Sequence, residues 1–160
     1  SDTDLLVEAD TVAVLMPGYV FHRAGQAYPP ARRLIDRGAA VALASGFGPE
    51  YSPGFSMALV TSLACREMRM LPEEALAATT INAAAALGIA HRTGSIEPGK
   101  QADIAIFDVG DYREIPYYFG INLCVLTMKK GVVIYPALPS PPPKRPPVMG
   151  RSPHRGNVRV

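Results

Sequence analysis

The residues best placed to do chemistry follow an apolar run, Ala42-Leu43-Ala44, where the chain enters the loop Ser45-Gly46-Phe47-Gly48-Pro49-Glu50-Tyr51-Ser52-Pro53. Loops at the carboxyl ends of strands are where α/β barrels build their active sites. This loop offers one carboxylate, Glu50, and no His, Cys or Lys, so it has almost nothing to act as ligand, base or nucleophile. His22, His91 and His154 form neither an HxH nor an HExxH arrangement and read as surface or loop histidines. His22 stays a candidate substrate contact because it follows a strand end. Ser45 and Ser56 lack the GxSxG context of a serine nucleophile. Glu67 and Glu73 fall on helix surfaces, where solubility and pairing with the helix dipole account for them. Gly94 to Lys100 superficially suggests a phosphate loop, yet it leads into a strand where a phosphate loop must lead into a helix.

The elements that position these residues are legible as apolar patterns. Thr11-Val12-Ala13-Val14-Leu15-Met16 predicts a strand buried on both faces and stopped by Pro17-Gly18. Pro30 to Arg37 predicts a helix closed by Gly38, and Ala39 to Ala44 a second buried strand. Strand, helix and strand make a βαβ unit with parallel strands and a right-handed crossover. Ser56 to Met70 reads as a helix with Met57, Val60, Leu63, Ala64 and Met68 on one face. Another helix opens at Leu71-Pro72-Glu73-Glu74, runs through Leu87 and ends at Gly88. Pro72 and the two glutamates suit its first turn, while Leu71 has no capping oxygen and forgoes about 1 kcal/mol. Gly94 and Gly99 make positive φ available in a tight-turn segment that feeds a strand from Ala102 to Phe107. Val125 to Met128 and Val132 to Tyr135, joined by Lys129-Lys130-Gly131, predict a hairpin.

Composition bounds the class. The chain has 160 residues, 48% hydrophobic and 19% charged, enough for one domain with a core. A complete (β/α)₈ barrel needs roughly 200 residues or more. No apolar run approaches the ~18 residues of a membrane span, and the start Ser1-Asp2-Thr3-Asp4 is acidic where a signal peptide is basic. These features predict a soluble, cytoplasmic chain with no membrane partner. Cys65 and Cys124 are isolated, without CxxC spacing, and read as reduced, packed thiols. The net charge of +2 is split: residues 136–160 hold five basic residues and no acidic one, leaving eleven basic and fourteen acidic elsewhere, a net −3. Eight prolines in those 25 residues predict a disordered Pro/Arg-rich tail, with no nucleic-acid role.

A family resemblance rests on particular residues. Val12 to Gly18, Val41-Ala42-Leu43, Phe55-Ser56-Met57, Leu63-Ala64-Cys65, Pro72 to Ala78 and Thr80 to Ala84 resemble the imidazolonepropionases of the amidohydrolase superfamily. Gly94 to Asp103 and Asp111 to Tyr117 continue the match, which covers about residues 8 to 135. The Gly94 segment resembles the whole superfamily. The Asp111 segment, with Phe119-Gly120 and Asn122, is particular to imidazolonepropionase.

The resemblance implies an α/β fold: the last βα units of an amidohydrolase TIM-type barrel, residues 1–93, followed by strands of the accompanying small β-sandwich, residues 94–135, and the tail, residues 136–160. It implies hydrolysis of 4-imidazolone-5-propanoate to N-formimidoyl-L-glutamate in histidine degradation, with that small imidazolone as substrate. The cofactor would be zinc or iron, which polarises the ring carbonyl and acidifies a bound water. In the family, histidines from early and middle strands and one aspartate at the end of the last strand hold the metal; most of those positions would precede Ser1.

At the last strand this chain departs from the family motif. The metal-binding aspartate is Gly46, a substrate-binding asparagine is Gly48, and the neighbouring substrate-loop positions are Glu50 and Tyr51. Glu50 reads as a solvated glutamate, because a shift of four positions carries its carboxylate several ångströms away. No catalytic residue is intact, and the chain alone is expected to bind no metal and to be inactive. The alternative is a non-catalytic module that associates with itself or another chain through uncovered strand edges. A hydantoin or dihydropyrimidine substrate is disfavoured by the Asp111 to Tyr117 segment.

Overall fold

The two apolar runs pair as parallel strands, as the βαβ pattern requires. A computed structural model describes residues 2–9 and 11–135; the predicted disordered tail lies outside the described residues. Helix α1 (Asp2–Glu8) leads to strand β1 (Ala13–Leu15), helices α2 (Pro17–Arg23) and α3 (Ala31–Asp36), and strand β2 (Val41–Leu43). Ala13, Val14 and Leu15 stand beside Val41, Ala42 and Leu43 in register. All three β2 residues are buried, and Val41 and Leu43 join Leu34, Val60, Ala64, Met68, Met70 and Ala75 in the core. Each valine, leucine or methionine of this set contributes roughly 1.5–3 kcal/mol by leaving water.

Strand β1 departs from the reading of a strand buried on both faces. Ala13 and Leu15 pack on the core, whereas Val14 is 48% exposed. The cause is the sheet's width, since among the described residues β1 has β2 as its one partner. No barrel is closed by the described residues. Pro17-Gly18 also acts differently from a stop: Pro17 is a first-turn residue of α2 and is fully buried. A proline is at home there because its missing N–H is one the helix leaves unbonded anyway.

Helix α4 (Met57–Glu67) is capped by the Ser56 hydroxyl, which accepts from the Leu59 N–H, and buries the predicted Val60, Leu63 and Ala64 face. The long helix expected from Pro72 to Leu87 is two, α5 (Pro72–Thr79) and α6 (Ile81–Ala86), broken at Thr80 with φ −121° and ψ −94°. The hydroxyls of Thr79 and Thr80 both donate back to the Leu76 carbonyl, at 3.0 and 2.7 Å. Just past the break, the Asn82 amide donates to the Val41 carbonyl at 2.8 Å and ties α6 to β2. The start of α5 is better served than Leu71 suggested, because the Glu74 carboxylate accepts the Leu71 N–H at 2.7 Å. Arg32 of α3 in turn donates to both Glu74 oxygens. Burial works to raise the Glu74 carboxyl, but the Arg32 and Leu71 hydrogen bonds outweigh it and hold the group below its ordinary value.

Gly94 lets the chain cross against α6. Its φ is +98°, and a β-carbon there would lie 2.7 Å from that of Ala84. Beyond it, β3 (Ile104–Phe107), β4 (Cys124–Lys129) and the predicted hairpin partner β5 (Val132–Tyr135) form an antiparallel sheet in the order β3-β4-β5. The strands expected after residue 94 are thus present as one small three-stranded antiparallel sheet, and β5 is exposed along its length. Between β3 and β4, short helix α7 (Glu114–Tyr117) docks on α4: the Pro116 carbonyl accepts from Ser62 at 2.7 Å and from Arg66 at 2.9 Å.

Asp103 anchors the hairpin turn, accepting from Lys129 Nζ at 2.5 Å and the Lys130 N–H at 2.9 Å. Those bonds, the Lys129 one foremost, lower its carboxyl from the ordinary 3.8 to about 2. A carboxylate with a depressed folded value stabilises the fold above its unfolded value and loses that contribution as pH falls toward the folded one. Asp103→Asn is therefore expected to remove a component of acid destabilisation between pH 3.8 and about 2, read as a flatter dependence of the urea midpoint on pH in that window.

Candidate functional site

The loop after β2 is built from its own backbone. Gly48 and Ser52 exchange N–H to carbonyl bonds, each 2.9 Å, and close a tight turn around Pro49, Glu50 and Tyr51. The turn puts Glu50 and Tyr51 at the surface and buries Ser52, which is 3% exposed. Tyr51 meets Tyr19 of α2 with ring centroids 6.1 Å apart, and the Arg23 guanidinium lies 5.5 Å from the Tyr19 ring centre. Phe47 and Phe55 bracket the loop edge to face at 5.8 Å. Its exposed side chains are those of Phe47, Pro49, Glu50, Tyr51 and Pro53.

Gly46 sits at the root of this loop with φ +63°, the left-handed region that favours glycine. A β-carbon there would lie 3.1 Å from Met16 Sδ, so the thioether stands where a side chain at 46 would begin. Met16 itself follows β1, on the neighbouring strand end. At Gly48 the space is freer, with the nearest atom, Tyr51 Cδ2, at 3.4 Å from a β-carbon.

The structure gathers some of the sequence candidates and separates others. Gly46, Gly48, Glu50 and Tyr51 share the loop. His22 lies in the last turn of α2 and lines a cavity of about 350 Å³ with Phe21, Ser52, Gly54 and Leu59. His91 lies in the loop after α6, Glu67 and Glu73 are exposed on α4 and α5, and His154 lies outside the described residues. Cys65 and Cys124 are free thiols, and burial pushes the Cys65 thiol up. Among the described residues no three His, Cys, Asp or Glu side chains group closely enough to hold a metal ion. With glycine at 46 and a thioether against it, the residues at this strand end do not fit a divalent metal, which takes carboxylate or imidazole donors. Sequence reasoning missed Met16: it belonged to an apolar run, and nothing in that run marks which side chain crosses to the next strand end.

Residues 21–134 match the family model described as the Amidohydrolase family. The chain belongs to the amidohydrolase family. The imidazolonepropionase of Geobacillus thermodenitrificans is 50% identical over 129 residues, 81% of this chain and 30% of that protein. That of Brevibacillus brevis is 43% identical over the same length and shares. The chain thus spans about 30% of the length of the curated relatives it matches. Two solved structures of similar fold are a zinc-bound adenosine deaminase from Xanthomonas campestris and an amidohydrolase from Thermotoga maritima. The first has TM-score 0.75 and 22% identity, covering 82% of this chain and 34% of that one. The second has TM-score 0.67 and 24% identity, covering 84% and 34%. Among the described residues of this family member no helix is long and apolar enough to cross a membrane.

The geometry at position 46 sets the consequence of a carboxylate there. Gly46→Asp places a non-glycine residue in the left-handed region and against Met16, an expected loss of about 1–3 kcal/mol in urea unfolding. Adding Met16→Ala is expected to recover part of that loss as a coupling of at least ~0.5 kcal/mol in a double-mutant cycle. Neither variant is expected to take up zinc in a calorimetric titration.

Proposed function

We propose that this chain is the part of an imidazolonepropionase-type amidohydrolase that holds the last barrel strands and the sheet beside the barrel, and that by itself it hydrolyses nothing. The observation that carries the second half is Gly46, with φ +63° and Met16 Sδ 3.1 Å from a β-carbon there. In this reading Gly46 stands at the position of the family's metal-binding aspartate. Gly48, Glu50 and Tyr51 stand at substrate-loop positions, with Gly48 in place of an amide that would bond the ring. Loss of a buried polar anchor costs about 1–3 kcal/mol. The reaction of the complete fold is then hydrolytic opening of 4-imidazolone-5-propanoate, with zinc or iron as its metal and the cytoplasm as its place.

Support for the substrate class comes from the 43–50% identity to several imidazolonepropionases. It also comes from the segment around α7, which is held on α4 by Ser62 and Arg66. We assign residues 1–93 to the barrel part and 94–135 to the second domain, a division that follows the two separate sheets. One observation favours the second reading, a non-catalytic association module: Val14, Met16, Phe47 and Phe55 are exposed, and among the described residues β1 is paired on one side alone.

The activity test uses the 160-residue chain as purified, supplied with Zn²⁺ or Fe²⁺ and 4-imidazolone-5-propanoate. The expected result is an absorbance decay no faster than with heat-inactivated protein. A metal-dependent decay above that control overturns the proposal.

A further inference from the structure

The end of α4 breaks a pattern that the same chain keeps elsewhere. Helices α3 and α6 are left through Gly38 and Gly88, at φ +84° and +69°, the left-handed step that commonly ends a helix. Helix α4 is left through Arg69, at φ +55°. The Met68 and Met70 N–H groups on either side both donate to the Ala64 carbonyl at 3.2 Å, so the turn is fixed and the arginine is held in it. A β-carbon is strained in that region. The helix dipole favours a cation anywhere in the last turn, and Arg66 already stands there; it does not call for one at the single left-handed position. A strained residue points to what its side chain does.

Arg69 borders a cavity of about 460 Å³ between α3 and the end of α4. Tyr28, Pro29, Pro30 and the buried Met68 give this cavity an apolar wall. Of the arginines that line it, Arg32 is committed to Asp36 and Glu74, and Arg37 to Asp4. Arg33 and Arg69 make no ion pair with any described residue, and both are exposed. One lining carboxylate, Glu67, is likewise without an ion pair among the described residues. Burial, and Glu67 after it, push the Tyr28 phenol up, so its hydroxyl remains a donor at neutral pH.

We propose that this cavity binds a phosphate monoester, with the guanidinium groups of Arg33 and Arg69 on the phosphate and Tyr28, Pro29 and Pro30 packed on the organic group it carries. A planar guanidinium presents paired N–H donors that match a tetrahedral oxyanion. A phosphate monoester carries nearly two negative charges at neutral pH and so answers two cations. An apolar wall with a few convergent polar groups, at this volume, is the make-up of a small-ligand site. Glu67 opposes the anion and limits its affinity. The site needs neither a closed barrel nor the reaction of the family.

The test is a titration of phenyl phosphate into the isotopically labelled 160-residue chain at constant ionic strength, followed by amide NMR shifts. The expected result is one saturable site, with the shifts concentrated at residues 28–37 and 67–70. Arg33→Gln and Arg69→Gly are each expected to weaken binding by at least about tenfold, the loss of a charge-assisted hydrogen bond. Glu67→Gln is expected to tighten it by about threefold, and Arg92→Gln, in the loop after α6, to leave it unchanged. Arg69→Gly separates binding from folding: because it relieves the backbone, its urea midpoint without ligand should be no lower than that of the unaltered chain. Inorganic phosphate, which cannot use the apolar wall, should bind at least about threefold more weakly than phenyl phosphate. The proposal is overturned by shifts that sodium chloride reproduces at the same ionic strength. Equal binding by all the variants also overturns it, in favour of the five basic residues of 136–160, which every variant shares. A lowered urea midpoint in Arg69→Gly overturns it as well, because Arg69 is then part of the fold. Equal affinity for the two phosphates overturns the assignment of an organic group.

Discussion

The burial of Val41, Ala42 and Leu43 is the constraint on which the rest of the structure depends. A three-residue strand is too short to persist on backbone bonds alone, and β2 persists because it is enclosed. Strand β1 lies along one side, α3, α4 and α5 supply the aliphatic surface around it, and the Asn82 amide satisfies its first carbonyl. A carbonyl left unbonded in that setting would cost about 1–3 kcal/mol, so the Asn82 contact and the break that places it are part of the same enclosure. Every other element either covers this strand or is attached to something that does. Helix α7 and the antiparallel sheet reach it through α4 and α6, by way of Ser62, Arg66 and the close crossing at Gly94.

The loop inherits its position from that strand and its character from what surrounds it. Because β2 is fixed, Ala44 is fixed, and the chain leaves the sheet at Gly46 beside the end of β1. There the Met16 thioether and the left-handed backbone at Gly46 complete each other: one occupies the space that the other, lacking a β-carbon, leaves open. The Gly48–Ser52 turn then seals the loop mainly through backbone, helped by the Ser45 hydroxyl, which accepts the Phe47 N–H at 3.3 Å, and by the buried Ser52 hydroxyl, whose weak bond to Gly54 spans 3.5 Å. Polar chemistry is thereby displaced outward, to Glu50 in solvent and His22 on the wall of a neighbouring cavity.

Much of this was legible in the sequence where local and tertiary preferences agree. The β4–β5 hairpin announces itself because Lys130-Gly131 can take the positive φ values, 50° and 79°, that such a turn needs. Strand β2 reads as buried and is. The break at Thr80 was hidden because alanine-rich sequence has uniform helix propensity, while the break depends on two hydroxyl bonds and on a carbonyl 41 residues away. Helix α2 was hidden because Pro-Gly signals a stop more often than a first turn. The exposure of Val14 was unreadable for a different reason: an apolar run reads as a strand flanked on both sides, and among the described residues β1 has one neighbour. At the site, the loop and its glycines were readable, but the contact between positions 16 and 46 crosses from one strand end to the next and leaves no mark in either segment.

The edge of β1 and the loop at Gly46 differ in kind. The edge is a geometric feature: Val14 turns its backbone groups away from β2, and among the described residues no strand meets them. The loop is a chemical want. A strand added beside β1 alters neither the φ of Gly46 nor the absence of an oxygen there, so an assembled fold still lacks whatever ligand position 46 could have provided. Completion of the barrel would bring other side chains toward this strand end, each from its own strand. It would bring them to a rim of one thioether and four aromatic rings, those of Tyr19, Phe47, Tyr51 and Phe55, where the Arg23 guanidinium donates to the Tyr19 hydroxyl. Such a surface stabilises packing and disfavours a charged, hydrated ion, because a cation without anionic or imidazole donors is not compensated for lost water. The loop therefore offers packing surface at the position where a metal-holding loop would offer ligands.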